Sequence, residues 1–200
     1  GSWLVVGAPF GEDVDGEVQA FNSALVFAPS GFVGTHHKTA LPTGRIGKDE
    51  FREALHFGPG ASLTVFKTPL LTFGIVICYE LFFPEIARSL ALNGAQLLIC
   101  LSAAPEGQRA AFDAVLPARA VENSSYVAFA NLPREGGVEF FGGSCLVSPS
   151  GRVVERAKEG EEELLLVELD TDRIARIRAS YDNLEQAPRI RNIARRVISS

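Results

Sequence analysis

Cys78 stands where an apolar run, Phe73-Gly74-Ile75-Val76-Ile77, gives way to Tyr79-Glu80-Leu81-Phe82-Phe83 and then to Pro84-Glu85. The run predicts a buried strand. Pro84 predicts a helix start, where its missing N–H costs nothing. A thiol at such a junction projects from the carboxyl edge of a sheet with helix N–H groups aimed toward it, which favours the thiolate. Cysteine otherwise packs as a small buried hydrophobe, and Cys100 and Cys145, inside the runs QLLICLSA and GGSCLVSP, fit that description. A cysteine nucleophile needs a base, and a cation or N–H donors for the oxyanion. Three histidines, His36, His37 and His56, make a Cys–His pair formally available. His36 and His37 are neighbours on an extended run, so only one can face inward. Nothing else supports such a pair, and the histidines are expected at the surface. By context alone Lys38 reads as a solvated lysine at a strand end, and Glu53 as a first-turn acid on a short surface helix.

The elements that must position these groups follow from pattern. Strands are expected over Trp3–Ala8, Ala20–Phe27 and Phe32–His37, with an acidic loop over Phe10–Gln19 and a tight turn at Pro29-Ser30-Gly31. Residues 44–60 read as irregular, with a helical piece around Asp49–Leu55. Further strands are expected over Ser62–Lys67, Phe73–Ile77, Ala95–Leu101, Ser125–Asn131, Phe140–Ser148, Arg152–Ala157 and Glu163–Leu169. Helices are expected over Pro84–Leu92, closed by Asn93-Gly94, over Arg109–Asn123 with a kink or restart at Pro117, and over Asp172–Ala179. Residues 132–138 read as a loop, and 180–200 as a basic, polar C-terminal tail. Strands and helices alternate in the middle and hairpins flank it, the signature of a mixed-sheet α/β protein.

Two hundred residues suffice for one domain with a full core, and residues 1–200 are read as one. The composition, 46% hydrophobic and 22% charged, is that of a soluble globular chain. A net charge of −5 with no basic run argues against nucleic acid, and no apolar stretch reaches membrane-span length. Three cysteines without CxxC spacing argue against a metal site and suit a reducing, cytoplasmic setting. The chain has no methionine and enters a strand almost at once after Gly1-Ser2, as a fragment would.

The stretch Gly74-Ile75-Val76-Ile77-Cys78-Tyr79-Glu80-Leu81-Phe82-Phe83-Pro84-Glu85 resembles the nucleophile motif of the nitrilase superfamily, the carbon–nitrogen hydrolases. Other segments match in order: Gly7-Ala8-Pro9, Phe21-Asn22-Ser23-Ala24, the lysine motif His36-His37-Lys38-Thr39-Ala40-Leu41-Pro42, and Glu53-Ala54-Leu55-His56-Phe57-Gly58-Pro59-Gly60. Arg119-Ala120-Val121-Glu122-Asn123 and Phe141-Gly142-Gly143-Ser144 follow. The resemblance implies an α-β-β-α sandwich with mixed sheets, here lacking its N-terminal strand and helix. It implies Cys78 as nucleophile, Lys38 and the Tyr79 backbone N–H at the oxyanion, Glu53 positioning lysine and substrate, and Phe82 and Ala103 on the substrate side. Arg119 and Glu122 are expected in ion pairs, with Glu80 or Glu85 as candidate partners. The implied reaction is hydrolysis of a carboxamide or N-carbamoyl compound through a cysteine thioester, releasing ammonia. Acyl transfer from that thioester, or an inactive binding module of the same fold, are the alternatives. The implied partner is a small-molecule amide, with no metal or cofactor, and the implied assembly a homodimer or larger homo-oligomer. The family's general-base glutamate lies in a Pro-Glu motif upstream of these segments. Glu12 and Glu17 carry no such motif, so the 200-residue chain alone is expected to have little activity and an open sheet edge.

Overall fold

The computed structural model describes residues 1–46, 49–133 and 139–191. Three strands, β1 (Leu4–Val14), β2 (Glu17–Ala28) and β3 (Gly31–His37), form an antiparallel meander in the order β1-β2-β3. The loop expected over Phe10–Gln19 is instead the end of a long hairpin, with Val14 opposite Glu17. Asp15 and Gly16 both take positive φ, 56° and 89°, the two-residue turn that matches strand twist and that Asp-Gly favours. The turn chemistry therefore extends both strands through a polar stretch.

A two-stranded ribbon follows, β4 (Thr43–Ile46) with β5 (Asp49–Arg52), and then a single 3-10 turn at Glu53–Leu55. The helical piece expected over Asp49–Leu55 is thus mostly extended, since so short a run does not nucleate a helix. The larger sheet contains β6 (Val65–Lys67), β7 (Thr72–Ile77), β8 (Leu97–Ser102), β9 (Tyr126–Asn131), β10 (Cys145–Val147) and β11 (Val153–Arg156). Its order is β11-β10-β9-β8-β7-β6, with β7, β8 and β9 parallel and the flanking pairs antiparallel. The parallel crossovers are α1 (Pro84–Leu92) and α2 (Arg109–Asn123). Gly94, at φ 97°, closes α1 as expected. Pro117 neither kinks α2 into two elements nor restarts it. Burial of Phe112, Leu116 and Ala120 on one face outweighs the proline's cost of roughly 3 kcal/mol.

The two faces of the large sheet bury different partners. Val76, Leu98, Cys100, Val127 and Phe129 pack under the helices against Leu90, Phe112 and Leu116. Phe73, Ile75 and Ile77 face the meander and meet Ala24 and Val26. The described layers are therefore helix, sheet and sheet, the mixed α/β sandwich that the sequence implies.

Several boundaries differ from expectation. Extension over Phe140–Ser148 shrinks to Cys145–Val147, because Gly142 and Gly143 both sit at φ 60°. Only Val65–Lys67 of the strand expected from Ser62 pairs with β7. Residues 163–169 keep a strand's alternation, with Leu164 and Leu166 exposed and Val167 and Leu169 packed inward, but form no ladder among the described residues. After α3 (Thr171–Ser180), the expected tail contains a further helix, α4 (Asn183–Arg191). The glycines at 136–137 and the last nine residues lie outside the described residues. Among those described, no helix is long and apolar enough to cross a membrane.

Candidate active site

Lys38 follows the last residue of β3, and its backbone is held from two sides. Its N–H donates to Asn22 O at 2.8 Å, and the Gly60 N–H donates to its carbonyl at 2.8 Å. Its side chain is not solvated: the residue is 3% exposed, and Nζ lies 2.6 Å from Glu53 Oε2. The other Glu53 oxygen accepts from Asn22 Nδ2. Glu53 opens its 3-10 turn with its N–H on the Pro42 carbonyl, which fixes where the carboxylate points. A surface reading of Lys38 and Glu53 fails because each supplies what the other needs to be buried.

Cys78 is the first residue after β7 and opens the 3-10 turn Cys78–Phe82. Its φ is 47°, a left-handed conformation that a non-glycine residue adopts only when its surroundings over-determine it. Cys78 is partly exposed, whereas Cys100 and Cys145 are buried. Burial pushes both of those thiols up, Cys100 well above the ordinary range.

Cys78, Lys38 and Glu53 line one cavity of about 540 Å³, together with Asn22, Tyr79, Ala103 and Asn131. Phe82 does not line it. That ring packs edge-on against Phe112, with centroids 5.1 Å apart, and lies 5.9 Å from the ring of Tyr79, which does line the cavity. Aromatic burial under α2 holds it there. Asn131, which sequence reasoning missed, ends β9 and braces the loop after β8. Its Oδ1 accepts from Ala104 N–H at 2.8 Å and its Nδ2 donates to Gly142 O at 3.0 Å. A polar residue closing an apolar strand was the available signal.

Arg119 is in an ion pair, but its partner is Glu122, at 2.9 Å, rather than Glu80 or Glu85. Its remaining donors reach the carbonyls of Leu81 (2.8 Å) and Phe82 (3.3 Å), bracing the turn that Cys78 opens.

The histidines divide. His56 is exposed and His37 half-buried, whereas His36 is buried rather than on the surface. His36 Nε2 sits 3.1 Å from Glu80 Oε2, so it is committed away from the thiol, and none of the three histidines lines the cavity. His37 pairs with Glu12 at 3.0 Å and with Ser23 Oγ at 2.7 Å. Glu80 is fully buried and accepts four hydrogen bonds: from Ile77 N–H (2.7 Å), His36, Thr39 N–H (2.7 Å) and Thr39 Oγ1 (2.7 Å). Burial pushes its carboxyl up, but the His36 ring and the Thr39 donors outweigh burial and hold it below the ordinary carboxylate range.

A carboxyl with a depressed folded-state pKa contributes stability that is present in full above its unfolded value, about 4.3, and is lost as pH falls through the lower folded value. Denaturant midpoints measured from pH 7 down to pH 3 are expected to fall more steeply in the native chain than in Glu80→Gln. Parallel slopes would show that Glu80 carries no such linkage. Among the described residues, no group of three or more His, Cys, Asp or Glu side chains could hold a metal ion.

The carbon-nitrogen hydrolase family profile matches residues 1–179. A protein of Pyrococcus abyssi described as a nitrilase is 36% identical over 174 residues, covering 85% of this chain and 60% of that protein. Omega-amidase NIT2-A of Xenopus laevis is 35% identical over 184 residues, covering 89% and 65%. The chain thus spans less than two thirds of the length of these relatives. Among solved structures, a glutamate-to-glutamine mutant of the amidase from Nesterenkonia sp. AN1 superposes with a TM-score of 0.67 at 29% identity, covering 79% of this chain and 58% of that one. That structure shows covalent addition of the acetamide moiety of fluoroacetamide at its active-site cysteine. With a family profile across nearly the whole chain and amidase-type relatives at this identity, the chain belongs to the carbon–nitrogen hydrolase family, on its amidase-like branch.

Proposed function

We propose that this chain carries the nucleophile and oxyanion lysine of an amidase acting on a carboxamide or N-carbamoyl compound. The observation that carries the reading is the convergence, in one cavity, of a left-handed Cys78 and a buried Lys38–Glu53 pair. Cys78 Sγ attacks the carbonyl carbon and the carbonyl electrons move to oxygen. The ammonium of Lys38 and the Tyr79 N–H stabilise that oxyanion. Collapse breaks the C–N bond, and the nitrogen leaves as ammonia, carrying the proton that the Cys78 thiol gave up. Water then attacks the thioester, releasing the acid and restoring the thiol. Both Glu53 oxygens are engaged, one by Lys38 and one by Asn22, which suits a positioning carboxylate better than a proton shuttle. The covalent cysteine adduct of the Nesterenkonia amidase, which keeps the amide group intact, supports a nucleophilic cysteine by analogy.

Iodoacetamide at neutral pH tests the nucleophile, with labelled positions read by peptide mass. Cys78 is expected to label first, because the other two thiols are buried and held protonated. Faster labelling of Cys100 or Cys145 would overturn the assignment, and an unreactive Cys78 would leave a binding module of the same fold.

A further inference from the structure

Glu80 joins the two halves of the site although it touches neither cavity nor substrate. One of its oxygens, Oε2, takes the N–H of Ile77, the residue before Cys78, together with the His36 ring on β3. The other, Oε1, takes the N–H and hydroxyl of Thr39, the residue after Lys38. A helix-capping acid would need only the first of these bonds. The remaining three cross from the six-stranded sheet to the meander and the segment leaving it. A carboxylate with no exposed surface and four donors is fixed in place, since loss of any donor leaves it short of a partner away from bulk solvent.

From this geometry we infer that Glu80 is a positioning residue, which clamps the strained turn of Cys78 to the strand end bearing Lys38 and so sets the approach of ammonium to thiol. The inference rests on the reading of Cys78 as nucleophile and Lys38 as its cationic partner. The left-handed Cys78 requires surroundings that hold it, and the Glu80–Ile77 bond lies one residue away. Lys38 has its backbone tied to Asn22 and Gly60, which fix its own strand end, but of these bonds only those to Thr39 and His36 relate that end to the cysteine turn.

The test is the alkylation rate of Cys78 by iodoacetamide at pH 7 in the native chain, in Glu80→Gln, in Thr39→Val and Thr39→Ser, and in Lys38→Ala alone and combined with Glu80→Gln. Cys100 and Cys145, buried in the same chain, report unfolding by becoming labelled. The expected result is a fall of about tenfold in Glu80→Gln and Thr39→Val, since a small misplacement of a reacting group can cost that much or more in rate. Cys100 and Cys145 are expected to stay protected, and Thr39→Ser to label at close to the native rate. In the Lys38→Ala background Glu80→Gln is expected to add little, because both act on one relation. Unchanged Cys78 labelling in Thr39→Val and Glu80→Gln overturns the inference. So does a multiplicative effect in the double variant, or a fall that appears only when the buried thiols open. If Cys78 is not preferentially labelled in the native chain, the nucleophile reading itself has failed, and the clamp falls with it.

Discussion

Cys78→Ala is expected to abolish amide hydrolysis by the full-length protein while leaving its fold intact. No thioester can form without Sγ, and alternative thiols cannot substitute. Cys100 is fully buried in β8 and Cys145 is buried in β10, and both are held protonated. The fold survives because the substitution keeps Cβ, leaves the Glu80 bonds in place, and removes a sulfur that is only partly buried. Ammonia release from a panel of simple amides, alongside circular dichroism of native and variant proteins, checks both halves. Turnover that persists in the variant would place the nucleophile elsewhere.

Lys38→Ala is expected to lower turnover by about 10²–10³, the usual cost of an oxyanion donor. It also leaves the Glu53 carboxylate, 11% exposed, with Asn22 as its remaining side-chain partner. Breaking a buried pair from one side costs about 3–5 kcal/mol, so thermal melting is to be read in parallel. Lys38→Ala combined with Glu53→Gln removes the stranded charge. It is expected to recover stability but not turnover, which separates the oxyanion role from the structural one. Near-normal turnover in Lys38→Ala would refute that role.

The parts of this site that depend on neighbours in sequence were legible there. A strand ending in cysteine, a polar-aromatic turn and a proline-opened helix locate Cys78, β7 and α1 within a residue or two. The parallel core follows from its alternating strands and helices. What depends on distant partners was not legible. Burial of Lys38 requires Glu53, and burial of His36 requires Glu80, 44 residues away, so each appeared as an ordinary surface group. The resemblance implies Phe82 on the substrate side, and the edge-on packing of its ring against Phe112 on α2 depends on a partner distant in sequence. The Asp15-Gly16 turn outweighed the polarity of the residues around it, and paired glycines at positive φ shortened β10. Local rules thus locate Cys78, while long-range packing selects the groups around it.

The cavity has one wall on each sheet: Lys38 at the end of the meander, Cys78 at the end of β7. A compound bound between them is therefore a cross-brace. It favours only the docked arrangement, stabilising it by about 2.7 kcal/mol when present at a hundred times its Kd. Segments of a protein can open at less free energy than the whole. Separation of the two sheets would dismantle the site while each kept its own hydrogen-bonded ladders. On this architecture, integrity of the site and susceptibility to partial opening are two measures of one equilibrium, and a small molecule that occupies the site protects the fold around it.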